Sequence, residues 1–105
     1  MNILNNSFTQ PDSDVLVDNE KVKIEQLKLS DDLTTTTITL HAMQEYSFKT
    51  RSAIISVCVG SGTISNNQET LSLDLFNKVT VSRGEQITIT NNQTIPLILN
   101  VVSAN

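Results

Sequence analysis

Apolar and polar residues alternate along most of this chain with a period of two, the pattern of half-buried strands. Val15-Leu16-Val17 meets the turn Asp18-Asn19-Glu20, after which Val22, Ile24, Leu27 and Leu29 are spaced by polar residues. The parity change between Ile24 and Leu27 allows a bulge or a short helix, and a strand is the expectation. Ser30-Asp31-Asp32 turns the chain into Leu33 to Leu40 (LTTTTITL), where Ile38 and Leu40 share a face. Ala53 to Val59 forms the next run, and Gly60-Ser61-Gly62 reads as a hairpin turn that returns into Thr63-Ile64-Ser65. The turn Asn66-Asn67-Gln68 precedes Leu71, Leu73 and Leu75 in strict alternation, then Val79 and Val81. Arg83-Gly84 turns into Ile87 and Ile89, and Asn91-Asn92-Gln93 into a last run from Ile95 to Val102. Short strands with turn signals at regular intervals predict an all-β barrel or sandwich, with no helical period beyond Leu29. Residues 1–14 keep no period and are expected to form an N-terminal arm or edge strand, whose Ile3, Leu4 and Phe8 could dock on a partner. Residues 15–105 are expected to be a single domain.

Composition narrows the classes. A chain of 105 residues holds one hydrophobic core. It is 38% hydrophobic but 4% aromatic and has no Trp, so the core must come from Ile, Val and Leu, types that favour sheet. Thr, Ser and Asn make up a third of the chain while Gly and Pro are scarce, which argues against linker-like disorder. A net charge of −4, with seven Lys and Arg scattered singly, argues against nucleic acid and anionic membrane as partners. No apolar run approaches the ~20 residues of a membrane span, and Met1 to Asn6 lack the features of a signal peptide. A cytoplasmic location is therefore expected. One cysteine, Cys58, and one histidine, His41, cannot build an internal disulfide or a structural zinc site, and no calcium-binding loop motif is present.

The order of turns from about Leu33 to Val102 resembles the cupins, small double-stranded β-helix barrels of jelly-roll type, and most of all the short single-domain kind similar to the C-terminal part of phosphomannose isomerases. In the first cupin motif, two histidines, a glutamate and a closing glycine follow at set spacings. With the closing glycine on Gly60, the glutamate falls on Ala53 and the histidines on Tyr46 and Phe48. In the second motif Gly84 and Asn91 keep their spacing, Ile87 stands where a histidine would be, Ser82 replaces a proline and Phe76 a glycine. The resemblance implies a barrel whose interior holds a metal in many members. A cupin centre needs imidazoles and a carboxylate, and the four corresponding residues here are Tyr46, Phe48, Ala53 and Ile87. The face of Ala53 also carries Ile55, Val57 and Val59, and that of Ile87 carries Ile89. The expected interior is apolar, without metal or other cofactor.

Six residues are candidates for ligand contact. Tyr46, Phe48 and Ile87 occupy interior positions, while Lys49 and Arg51, in the loop at the barrel mouth, and Arg83 could hold an anion, Arg51 through a bidentate pair. His41, opposite Ile38 and Leu40, is expected to be solvated or at a strand end, and Cys58 to be a buried small hydrophobe or an interface contact. The favoured reading is a metal-free binding or interaction module, and not an enzyme, that takes a small anionic or sugar-like ligand or a protein partner and forms a homodimer through its edges. The alternatives are a metal-independent isomerase, epimerase or lyase on a sugar-like substrate, using Tyr46 with His41, and a structural or inhibitory protein whose barrel is plugged by its own side chains.

Overall fold

A computed structural model describes residues 14–105. Ten strands follow in order: β1 (Asp14–Asp18), β2 (Val22–Lys28), β3 (Leu33–Leu40), β4 (Glu45–Lys49), β5 (Ala53–Val59), β6 (Gly62–Ser65), β7 (Thr70–Leu73), β8 (Lys78–Val81), β9 (Gln86–Thr90) and β10 (Leu97–Ala104). No helix occurs among the described residues. The strands form two antiparallel sheets, β1-β2-β3-β10-β5-β8 and β4-β9-β6-β7. From β3 onward every connection except the β6–β7 hairpin passes from one sheet to the other. That is the winding of a jelly roll, and it bears out the all-β barrel expected from the alternation.

Strand register explains where the core lies, because residues paired across a ladder share a face. On the inner face of the larger sheet, Val22, Leu40 and Leu97 form one row, and Ile24, Ile38 and Leu99 the next. Gln26, Thr36 and Val101 follow, and then Lys28, Thr34 and Ser103. The lining thus grades from wholly apolar at one end of the barrel to hydroxyl and amide at the other. Across from it, Tyr46 pairs with Ile89, which pairs with Ile64, and Phe48 pairs with Ile87. The buried core joins both sheets through residues such as Leu40, Ile55, Leu73, Ile89 and Leu99. Each such side chain contributes about 1.5–3 kcal/mol by leaving water.

Several expectations change. β2 itself carries no bulge: it pairs continuously with β3, so Leu27 turns to the face opposite Ile24 and is buried there. The bulge lies in β1, where Val15 faces Glu25 and Val17 faces Ile24 and Leu16 is the extra residue. A second bulge lies in β5. Val57 pairs with Leu99 but Val59 with Ile98, so Val59 turns to the outer face, 43% exposed, and Cys58 is exposed instead of buried. Gly60-Ser61-Gly62 is not a hairpin turn, since β5 and β6 belong to different sheets. It is a crossing at which two backbones meet. Gly60 has φ +85° and a Cβ there would lie 2.6 Å from the Pro96 carbonyl oxygen, while one on Gly62 would collide with the Thr90 carbonyl. Leu75 does not continue the alternation of Leu71 and Leu73; it sits in the turn after β7, where Asp74 accepts the Phe76 and Asn77 N–H groups. Residues 1–13 of the expected arm lie outside the described residues, and Asp14 opens β1.

Candidate functional site

At the hydroxyl-rich end of the barrel the sheets part around a cavity of about 180 Å³. Its floor is Ile24, Ile38, Val101 and Ala53, the inward residues of four adjacent strands. One wall is β4, a strand that the apolar pattern does not reveal because its only apolar residues are Tyr46 and Phe48. As alternate residues of β4, the two share a face and stack with ring centroids 5.7 Å apart. Gln26, Thr36 and Ser103 edge the cavity from the larger sheet, and Leu16, aimed by its bulge, overhangs it from β1. Lys49 and Arg51 stand at the rim.

Thr50 holds that rim in place. It is buried between two exposed cations, its N–H donates to the Glu85 carbonyl (2.9 Å), its hydroxyl donates to the Ser82 carbonyl (2.9 Å), and its own carbonyl accepts the Gly84 N–H (2.8 Å). This ties the β4–β5 connection to the β8–β9 turn, where Gly84 has φ +83°. The Glu85 carboxylate fastens the turn in its own right by accepting the Ser82 N–H (3.0 Å) and the Asn66 amide (2.6 Å). Those two donors, the backbone one foremost, hold its carboxyl below the usual carboxylate value.

Of the six candidate ligand contacts, the structure brings Tyr46, Phe48, Lys49 and Arg51 together. Ile87 faces the interior but is buried beside Phe48 in the ladder and does not line the cavity, and Arg83 lies on the β8–β9 turn, also outside it. Lys49 is the last residue of β4 and not part of a loop. His41 follows β3 at the opposite end, its N–H bonded to the Lys21 carbonyl, and does not line the cavity with Tyr46. Gln26, Thr36, Thr50 and Ser103 were hidden in the sequence as ordinary strand and loop residues. Their signal is the register, which no single run reveals.

Tyr46, Phe48, Ala53 and Ile87, which the sequence resemblance aligns with cupin ligands, offer a phenol, a phenyl, a methyl and a branched alkyl group, a donor set that does not fit a divalent cation. Among the described residues no three His, Cys, Asp or Glu side chains converge.

No family model and no curated protein sequence matches this chain. Solved structures do. The cupin-2 domain Rru_A2000 from Rhodospirillum rubrum superposes with a TM-score of 0.73 at 10% identity, over 100% of this chain and 77% of that one. An RmlC-like cupin with a double-stranded β-helix fold from Methanocaldococcus jannaschii gives 0.69 at 20% identity, over 88% and 87%. The DMSP lyase DddQ from Ruegeria pomeroyi gives 0.65 at 15% identity, over 72% of this chain and 40% of that one. The fold is that of the cupins, a double-stranded β-helix, and likeness at these identities extends to the fold alone. No helix among the described residues is long and apolar enough to cross a membrane.

Proposed function

We propose that this cupin-fold chain is a metal-free small-ligand-binding module that takes its ligand in the cavity between β4 and the larger sheet. The observation that carries the reading is the combination at one barrel end of an open, mostly apolar cavity, a stacked aromatic wall and a rim locked in position by Thr50. Binding sites are concave, largely apolar and supplied with a few fixed polar groups. Metal-free action is supported by the side chains at Tyr46, Phe48, Ala53 and Ile87. The isomerase, epimerase or lyase alternative has less support, because His41 is not among the residues that line the cavity with Tyr46. A homodimer is supported by the edge of β8, which no other described strand pairs, and by Ile54 and Val59 exposed on the outer face of neighbouring β5.

A small-molecule fragment library screened by two-dimensional amide NMR tests the reading. Hits are expected to shift the amides of Phe48, Thr50 and Ala53 and leave that of Asn91 in place. Hits that move only residues remote from the cavity would overturn it. Elemental analysis is expected to find no stoichiometric Fe, Mn, Ni or Zn, and one tightly held equivalent would contradict metal-free action. Sedimentation velocity at micromolar concentration is expected to give twice the mass of the chain.

A further inference from the structure

We infer that the cavity selects a monoanion with a compact apolar body, its carboxylate held by Arg51 and Lys49 and its hydrocarbon laid against Tyr46 and Phe48, in preference to a sugar-like ligand. This inference rests on the small-ligand reading above and names the class of ligand. The first support is charge. The chain carries 11 Asp and Glu against seven Lys and Arg, yet the cavity is lined by two of those cations and no carboxylate. The ion pairs among the described residues are Lys23–Glu25 and Lys28–Asp31, so Lys49 and Arg51 are engaged in neither. A positive rim on an acidic protein concentrates small anions locally, and a guanidinium fork matches the two oxygens of a carboxylate.

The second support is what the walls leave for a hydroxylated ligand. The Thr50 hydroxyl proton goes to the Ser82 carbonyl, and the Ser103 hydroxyl donates to the Thr34 carbonyl. On the larger sheet, Gln26 and Thr36 are the polar side chains at the cavity without a hydrogen bond to another described residue, and they lie side by side in one row. A polyol entering here would lose water on the faces turned to Ile24, Ile38, Val101 and the aromatic wall without replacing it. An apolar body has no such loss.

The experiment uses a built-in reporter. Tyr46 is the single tyrosine and there is no Trp, so tyrosine emission comes from the cavity wall. Cyclohexanecarboxylate, its neutral counterpart cyclohexanecarboxamide, and gluconate are titrated at constant ionic strength, following that emission and the amide spectrum. Expected is carboxylate binding about tenfold tighter than the carboxamide, the scale of one charge-assisted hydrogen-bonded pair, with gluconate the weakest. In the double variant Arg51→Gln/Lys49→Gln, checked for an unchanged circular dichroism spectrum, the preference is expected to vanish through loss of carboxylate affinity. Equal or tighter carboxamide binding, tightest binding by gluconate, or a preference retained in the double variant would overturn the anion assignment and leave the small-ligand reading standing. Silence from all three probes also overturns the assignment, and the fragment screen then decides the broader reading separately.

Discussion

At the apolar end of the barrel a single buried amide ties the end of β3 to the β9–β10 connection, whereas at the cavity end a threonine and a carboxylate anchor the rim, and the cations beside it form no ion pair with another described residue. Asn91, 1% exposed, shares the two N–H groups of its Nδ2 among the carbonyls of Leu40 (3.0 Å), His41 (3.2 Å) and Ile95 (2.8 Å), and its Oδ1 accepts the Gln93 N–H (3.0 Å). It lies beside the row Val22, Leu40 and Leu97, all almost fully buried. At the other end the corresponding row is Lys28, Thr34 and Ser103, and Lys49 and Arg51 are exposed. The contrast separates two tasks. The first end supplies stability through buried packing, and the second is a shaped opening whose exposed cations, unlike the buried Thr50 between them, contribute little to it.

Substitutions at the two ends should therefore diverge. Leu40→Ala is expected to cost about 3–4 kcal/mol in urea unfolding, the transfer term plus a cavity. Asn91→Ala, which leaves buried carbonyls without donors, should cost about 2–3 kcal/mol by the same measurement. Thr50→Val, nearly isosteric, is expected to lose about 1–1.5 kcal/mol and also to weaken carboxylate binding in the Tyr46 titration, which a substitution at the Asn91 end should not do. Arg51→Gln should change stability by no more than about 0.5 kcal/mol. Equal losses for Asn91→Ala and Arg51→Gln would remove the distinction between the ends. The smallest effect is pH-dependent. Because the Glu85 carboxyl titrates below its ordinary value of 4.5 in the folded chain, its stabilisation is complete above that value and is lost as pH falls through the lowered one. Acid titration of Glu85→Gln should accordingly show a flatter loss of stability below pH 4.5 than the parent chain.

Most strands were legible in the sequence because β-branched and leucine residues alternate cleanly on faces that meet one core. Ile38, Leu40, Ile87 and Ile89 turn inward as alternation requires. What escaped has local causes. The bulge in β5 is invisible in Val57-Cys58-Val59, since an uninterrupted strand would show the same letters. The Gly60-Ser61-Gly62 crossing resembles a hairpin because both need glycine, one for a left-handed turn and the other also for close backbone approach. β4 was known only through the family motif. At the site, Tyr46, Phe48, Lys49 and Arg51 could be found because they lie within six residues of one another. Gln26, Thr36 and Ser103 come from strands that meet only through the ladder, and their chemistry is too ordinary to announce itself.

The position of β10 bears on how the molecule comes together in time. This strand is the last in chain order, yet it lies between β3 and β5 and is paired to both along most of its length. During synthesis β1-β2-β3 can form a local meander, but β5 and β8 have no ladder to it until Leu97 to Ala104 has emerged. The pairing of Ala104 with Leu33 closes a loop of most of the described chain. Such distant pairings place the protein among slow folders. Until the final strand arrives, the hydrogen-bonding edges of β3 and β5 are open to other chains, so nascent or unfolded molecules are most vulnerable to misassembly at the two edges that the mature protein covers most completely.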